Sequence, residues 1–595
     1  MLNLLCINTL QFVEHNISYQ AIVTESRSSA QDRGLDAGSV SHVLRAVAIS
    51  MQVVHCAFHS ARLRHDCIWL TKHSFEEECL KNDSICLPGS DAQASDIVIY
   101  TGDEYLVSLN DDREVWLNGE RVKNVAHHPA FRNSARMIAR FYDAIHDESR
   151  REILTIPMDD GSGFRCHRFF QAPRSAEEQL AARDAIAETA RLNYGWMGRT
   201  PDFKAAWIGT FGANRELYGE FQHNAQRWYD LTRKRLPFIN HAVVNPPVDR
   251  HKDPNHSDVF VHVDEETDGG LIISGAKVVA TGAALTHYTF VAHYNVVYRD
   301  KKFSPVFMVP TNAKGVKLIC RQSYELNASR TGTPFDHPLS SRMDENDSIL
   351  VFDRVFVPWE DVFMYGVEQS NRFVEHSGFF GRTLMHGCTR LAVKFDFICG
   401  LFIKAVEMTG TSQFQGVQGA VGEAIALRHM LWGLSDSMAW RVEPWKGDFV
   451  LPDTESALAY RALAADSYSR LINLIRKTVA SSLIYLPAHA DDFRQADERS
   501  YLDRYVRGAD GVDAVERVKL MKLLWDATGS EFASRHELYE INYSGSYEKS
   551  RLDTLNVARG SGRTEKMTAF VDQCLNEYDL DGWRAFDLRH ATATG

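Results

Sequence analysis

The apolar period of this chain changes along its length, and the last change restricts the fold most. Between residues 258 and 357 it is two. Beyond Pro358 it becomes helical, and residues 382–410, 418–442, 454–486 and 512–533 each hold apolar residues at helical spacing for more than 20 residues. Long helices joined by short loops pack as an up-and-down bundle.

The earlier segments read differently. Residues 101–109 open with a capping threonine and predict a short helix. Residues 114–122 alternate around Asn118-Gly119, a hairpin signal. Three further helices are expected at 131–146, with Met137, Ile138, Phe141, Tyr142 and Ile145 on one face, at 175–191 and at 214–233. Strands are expected at 258–263, from 271, and at 288–297, 304–309, 315–320 and 348–357. The fold class is therefore α+β and mostly α: a helical domain over 100–240, a β domain over 241–365 and a helix-bundle domain over 366–595. Residues 1–99 hold five of the ten cysteines and an irregular pattern ending in Pro88-Gly89-Ser90-Asp91, and read as a peripheral extension. Cys56, His59, His65 and Cys67 lie in it, but C-x2-H-x5-H-x-C matches no common zinc pattern, so no metal site is expected.

Composition excludes several classes. A net charge of −12 argues against a nucleic-acid binder, which needs excess Lys and Arg to neutralise phosphates. No run of 18 apolar residues predicts a membrane helix, and the N-terminus lacks the basic segment of a signal peptide, so a cytoplasmic location is expected. Neither a G-x-x-x-x-G-K-[ST] loop nor a G-x-G-x-x-G turn occurs, so a Rossmann dinucleotide site is not expected. Gly410, Gly416, Gly419 and Gly422 read as packing points.

Five segments concentrate chemistry. In Tyr194-Gly-Trp-Met-Gly-Arg-Thr-Pro-Asp-Phe-Lys204, Arg199 precedes a Thr-Pro pair that favours extended backbone. Its planar fork suits an anion or a phenolate; the alternative is a structural pair with Asp202. In Asn240-His-Ala-Val-Val-Asn-Pro-Pro-Val-Asp-Arg-His251 the prolines stiffen a polar loop, and His241 is a candidate base toward an acidic hydroxyl. Residues 275–288 end a strand in small residues that admit something flat. Residues 330–342 suit a mobile lid or a plain surface loop. Residues 529–546 mark the break of the last long helix.

Together these segments resemble one family: the oxygenase component of two-component, FADH2-dependent aromatic hydroxylases of the 4-hydroxyphenylacetate 3-monooxygenase type. The resemblance runs from Thr101 to Trp583 and rests on TGDEYLVSLNDDREVWLNGERVKNV, HPAFRN, YGWMGRTPD, NHAVVNPPVDRH, SGAKVVAT, HPLSSRMDENDSILVFDRVFVPWE, TGTSQFQGVQ, LSDSM, LIYLP and RHELYEINYSGS. It implies an acyl-CoA-dehydrogenase-like fold: N-terminal helical domain, middle β-barrel domain and C-terminal four-helix bundle. It also implies a homotetramer, and FAD bound as FADH2 and delivered by a separate NADH-dependent flavin reductase. The implied reaction is ortho-hydroxylation of a phenol such as 4-hydroxyphenylacetate to a catechol, with O2, through a flavin C4a-hydroperoxide.

Carried over residue by residue, the resemblance puts Arg199 and His241 on the phenol as catalytic groups. It puts the flavin against His241, Ala242, Val243, Pro247, Val248, Asp249, Arg250 and Thr281, and against Asn542, Tyr543, Ser544 and Gly545. Phe203 departs from the family pattern, which has a tyrosine there helping to hold the substrate hydroxyl. A lost hydrogen bond of this kind costs about 0.5–1.5 kcal/mol, so another phenol or a slower turnover is expected. Two alternatives stand beside this reading. One is an acyl-CoA dehydrogenase or dehydratase, which needs a glutamate near the flavin or clustered cysteine ligands. The other is a flavin-binding homologue that has lost activity.

Overall fold

A computed structural model of the chain describes residues 96–585, apart from Asn295 and Ser544. All of these belong to one compact unit, Ala94–Gly595. The extension expected over 1–99 and its Cys56, His59, His65 and Cys67 lie outside the described residues, except for its last four positions.

The first helix, α1 (Gly102–Ser108), starts where expected because Thr101 and Glu104 cap each other reciprocally. Strands β1 (Glu114–Leu117) and β2 (Glu120–Val122) form the hairpin, with Asn118 (φ 53°) and Gly119 (φ 81°) supplying the positive angles of its tight turn. Helix α2 (Arg132–His146) buries Ile138, Phe141, Tyr142 and Ile145 and has no local side-chain cap. Glu325 supplies one from far along the chain, accepting from the backbone N–H groups of Asn133 (2.7 Å) and Ser134 (2.9 Å). Helix α3 (Ala176–Leu192) is capped by Ser175. The helix expected at 214–233 begins late: a 3-10 segment, Arg215–Phe221, breaks at Gly219 (φ 53°) before α4 (Gln222–Arg235).

Two sheets follow. The four-stranded sheet contains β3 (Ile239–Ala242), β6 (Tyr288–Val291), β7 (Val306–Pro310) and β10 (Val362–Met364), in the order β10-β7-β6-β3. The six-stranded sheet contains β4 (His262–Thr267), β5 (Gly270–Thr281), β8 (Val316–Cys320) and β9 (Asp347–Pro358), and recruits the early hairpin, in the order β2-β1-β8-β9-β5-β4. The hairpin thus serves the β domain although it lies within 100–240. The barrel takes the form of these two sheets joined at a corner, where the Val278 N–H donates to the Val244 carbonyl at 2.9 Å. In β9 a bulge at Arg354 (φ 52°) resets the alternation, so Leu350 and Phe352 before it and Val355 and Val357 after it all face the core.

Helix α5 (Tyr324–Thr331) opens the segment read as a lid, and the structure overturns that expectation. Asp526 accepts from the N–H groups of Leu339 (2.8 Å) and Ser340 (2.9 Å), and Lys522 bonds Asp336 at 2.8 Å, so residues 336–340 are pinned to a bundle helix.

After α6 (Val367–His376) the bundle is built from α7 (Phe379–Met408), α8 (Gln415–Trp440), α9 (Thr454–Val479) and α10 (Ala514–Thr528). The helix expected at 512–533 is two helices, because Ser530 caps a new one, α11 (Glu531–Asn542), accepting from the Ala533 N–H at 3.0 Å. Gly416, Gly419 and Gly422, read as packing points, face open space within this chain. Helices α12 (Tyr547–Gly560) and α13 (Arg563–Leu575) follow and remain largely exposed, and a short antiparallel hairpin, Tyr578–Asp579 with Gly582–Trp583, ends the described fold. One contiguous apolar core runs through helices and both sheets.

Glu540 on α11 sits 1% exposed between Arg390 (2.5 and 2.6 Å) and Lys394 (2.9 Å) of α7. Burial alone would raise its pKa, but the two cations outweigh burial and hold it down at about 2. Glu540→Ala should cost about 3–5 kcal/mol, because two buried cations lose their partner; the apparent Tm reads it. The folded pKa lies below the ordinary 4.5, so the triad's contribution is present above about pH 4.5 and fades as pH falls toward about 2. The variant should lack that acid-sensitive component.

Candidate active site

The turn before Arg199 is shaped by positive φ at Tyr194 (56°) and Gly195 (76°). A Cβ on Gly195 would fall 2.6 Å from the Lys394 backbone nitrogen, so α7 runs directly against this turn. The Gly195 carbonyl accepts from Arg390 Nη1 at 3.1 Å. After Thr200, Pro201 starts the 3-10 turn Pro201–Ala206, in which Asp202, Phe203 and Lys204 are all buried. The 3-10 spacing stacks Lys204 and Trp207 on one face.

Arg199 projects among three rings, its guanidinium 4.4 Å from Phe203, 4.4 Å from Tyr543 and 5.3 Å from Tyr539. Its backbone N–H donates to Glu345 at 2.6 Å. The guanidinium forms no ion pair among the described residues, and Nε is buried without a partner. The alternative pairing with Asp202 is not made: Asp202 meets His386 Nε2 at 3.3 Å.

Opposite stands His241 on β3, its ring stacked on Trp207 (5.1 Å) and tilted against Phe203 (5.5 Å). Its Nδ1 lies 2.7 Å from Lys204 Nζ. Burial first, and then the Lys204 and Arg199 charges, drive the His241 pKa well below its usual range. Burial and Arg199 do the same to Lys204.

Arg199, Phe203, His241, Val243, Pro247, Val248, Asp249, Arg250, Thr281, Asn542, Tyr543 and Gly545 all line one cavity of about 1220 Å³. Ala242 does not. Strand alternation turns its methyl into the core, 1% exposed, while its neighbours His241 and Val243 face the cavity. Ser544 lies outside the described residues. Tyr543, expected beside the flavin, stacks on Arg199 and meets Phe203 edge-on at 6.3 Å, on the phenol side. The Thr281 hydroxyl donates to Asp347 at 2.7 Å, and Asp347 is clamped by Arg535 (2.7 Å) and Arg321 (2.9 Å). Burial would raise the Asp347 pKa, but Arg535 and Arg321 hold it down at about 2.

Sequence reasoning missed several lining groups. Arg535 and Tyr539 precede the expected Tyr543 at four-residue steps on α11 and its C-cap, a helical stripe legible in RHELYEINY. Lys204, which is not in the lining but stands against His241, was signalled by a charge inside the small and apolar run Phe203-Lys-Ala-Ala-Trp207. Val279 carried none: a bulge in β5 forces φ to 57°, strained for a β-branched residue, and its side chain lines the cavity.

The cavity exceeds the 300–1,000 Å³ usual for one small ligand. Flat apolar walls at Trp207, Phe379, Phe380 and Val279, and the cations Arg250, Lys252 and Lys549 elsewhere in its lining, fit an aromatic dinucleotide plus a second ring. No glutamate is among the described lining residues, which disfavours acyl-CoA dehydrogenase chemistry. Cys388 and Cys399 are buried and donate to the Leu431 and Ala424 carbonyls, and no group of described residues could hold a metal ion. A Cβ on Gly198 would fall 2.0 Å from Tyr539 Oη. Gly198→Ala should therefore displace Tyr539 from Arg199 and lower turnover about tenfold or more, with an apparent Tm close to that of the parent.

Comparison with known proteins agrees. Residues 101–364 match the N-terminal and residues 370–572 the C-terminal family model of 4-hydroxyphenylacetate 3-hydroxylase. The oxygenase component of 4-nitrophenol 2-monooxygenase from Rhodococcus sp is 52% identical, covering 83% of this chain and 95% of that one. The oxygenase component of 4-hydroxyphenylacetate 3-monooxygenase from Pseudomonas aeruginosa is 50% identical, covering 83% and 96%. A solved 4-hydroxyphenylacetate 3-monooxygenase oxygenase component with FAD and 4-hydroxyphenylacetate superposes with TM-score 0.75 at 29% identity, covering 80% and 99%. An archaeal 4-hydroxybutyryl-CoA dehydratase from N. maritimus, at 20% identity and TM-score 0.70 over 79% and 95%, shares the fold alone. The chain has the acyl-CoA-dehydrogenase-like fold and belongs to the 4-hydroxyphenylacetate 3-hydroxylase family.

Proposed function

We propose that this chain is the oxygenase component of a two-component, FAD-dependent aromatic hydroxylase. It adds one oxygen atom of O2 ortho to the hydroxyl of a para-substituted phenol, such as 4-hydroxyphenylacetate, to give a catechol. The observation that carries this reading is Arg199, a cation boxed by three aromatic rings, opposite His241, whose guanidinium makes no ion pair among the described residues. Such a group is built to receive an anion that arrives with the ligand.

Bound in reduced form, FAD supplies two electrons and, with O2, the oxygen atom that is transferred; the second oxygen leaves as water. Val243, Pro247 to Arg250, Thr281, Asn542 and Gly545 are the residues to hold it. Phe203, Trp207 and Phe379 keep the ring site dry, which strengthens every charge interaction inside it. Arg199 stabilises the phenolate oxygen, and that charge drives electron density to the ortho carbon. His241 meets the phenol hydroxyl proton. Phe203 keeps the ring contact of a tyrosine without its donor, so Arg199 and His241 carry the oxygen between them. The absence of a Gly-rich nicotinamide motif supports reduced flavin arriving from a separate NADH-dependent reductase, and hence a cytoplasmic location. No helix among the described residues is long and apolar enough to cross a membrane. Phe414, Leu552, Met567, Phe570, Val571 and Leu575 expose 51–74% of their surface, which supports self-association as a homotetramer.

The test supplies the anaerobic, FADH2-loaded protein with 18O2 and 4-hydroxyphenylacetate or 4-nitrophenol. One 18O atom in a dihydroxy product is expected; a product without 18O, or no product from either phenol, would overturn the reading. Arg199→Ala should lower kcat about a hundredfold to a thousandfold. Unchanged rates in both Arg199→Ala and His241→Ala would remove the role assignment. Phe570→Asp with Val571→Asp should reduce the solution mass measured by light scattering from that of a tetramer.

A further inference from the structure

Three of the buried lysines among the described residues bond oxygen acceptors. Lys394 bonds Glu540, Lys522 bonds Asp336, and Lys277 bonds the Asn245 amide oxygen at 2.8 Å. Lys204 differs. Its side chain is fully buried, it forms no ion pair among the described residues, and its one hydrogen-bond partner is His241 Nδ1 at 2.7 Å. An ammonium so placed lacks the counter-charge that burial normally demands. The His241 ring packs against both Phe203 and Trp207. With Nδ1 committed to Lys204, Nε2 is the nitrogen left for the ligand, in the cavity that also holds Arg199.

We propose that Lys204 and His241 act as one proton acceptor for the phenol, with His241 touching the substrate and Lys204 storing the proton behind it. The substrate O–H bond breaks and its electron pair stays on oxygen as phenolate. The proton goes to His241 Nε2, while His241 Nδ1 passes its own proton to the lone pair of neutral Lys204 Nζ. The end state is a phenolate, a neutral His241 that donates Nε2–H to it, and a Lys204 ammonium; no electron changes hands. This inference rests on the phenol-hydroxylase reading and adds the destination of the proton.

The electrostatics agree with that geometry. Burial and Arg199 push Lys204 well below its usual range, which weakens its hold on a proton. Burial first, and then the Lys204 and Arg199 charges, likewise disfavour a second proton on His241. Phenolate formation beside Arg199 adds the negative charge that lets the ammonium persist. The other groups facing the pair are already engaged: Asp202 with His386, Arg382 with the Phe169 and Ala205 carbonyls, and Tyr539 and Tyr543 against Arg199.

The test uses 4-nitrophenol, whose phenolate and phenol absorb differently, titrated into anaerobic FADH2-loaded protein across a pH series. The parent should hold the bound probe as phenolate to a pH about one unit lower, a tenfold shift, than Lys204→Met does. A second variant separates proton storage from charge alone. Lys204→Arg keeps a cation but cannot accept a proton, so it should release about one proton to an indicator dye per neutral phenol bound, whereas the parent releases almost none. Equal ionisation curves for the parent and Lys204→Met, or equal proton release for the parent and Lys204→Arg, would overturn the proposal. Failure of the parent to bind 4-nitrophenol would overturn it together with the phenol-hydroxylase reading. Hydroxylation by the parent alongside unshifted variants would sink the proton pair alone.

Discussion

Glu540 is held in the interior by Arg390 and Lys394, and that buried charge triad grips the backbone of the functional turn. Arg390 also bonds the Gly195 carbonyl, so the guanidinium that neutralises Glu540 grips the backbone four residues before Arg199. Phe532, His536 and Glu540 turn one face of α11 inward, while Arg535, Tyr539 and the following Tyr543 turn another to the cavity. Burying three charges is costly unless every lone pair and proton is matched. Here the cost is met by a bidentate fork and an ammonium on one carboxylate, and the arrangement transmits the bundle's rigidity to the ligand site.

The cavity inverts that logic. Around Glu540 cations and anion are matched; at Arg199 and Lys204 the cationic groups have no carboxylate. A protein tolerates such a site only when the missing partner is brought in by the ligand or when the group gives up its proton. Arg199 cannot give up its proton, so it awaits an anion; Lys204 can, so it becomes a base. Two basic residues five positions apart thus take opposite tasks on the two sides of one ring, Phe203. The tyrosine that the family resemblance leads one to expect there would add a donor. The phenylalanine leaves the oxygen to the two basic groups.

The chain announces much of this. The capping box at Thr101, the Asn-Gly hairpin, the period-two strands and the long bundle helices all obey local rules, and they appear near the expected positions. Where expectation failed, the cause was a local cap or strand alternation passed over, or a partner far along the chain. The helix expected at 512–533 divides because Ser530 caps a new helix, and the lid read at 330–342 is fixed by Asp526, nearly 190 residues away. Most expected site residues line one cavity; Ala242 does not, because a strand sends alternate side chains to opposite faces.

Residue types at local spacing by themselves determined the order of helical, β and bundle segments, the placing of Arg199 before a Thr-Pro pair, the stiff loop after His241 and the family to which these motifs belong. Only the tertiary structure decided which charges are matched. Lys204 has an ordinary lysine's chemistry until α7, β3 and the 3-10 turn close around it, remove water and leave it an imidazole and two aromatic rings but no carboxylate among the described residues. Solvation and pairing are properties of the space around a side chain, and contacts across the fold create that space.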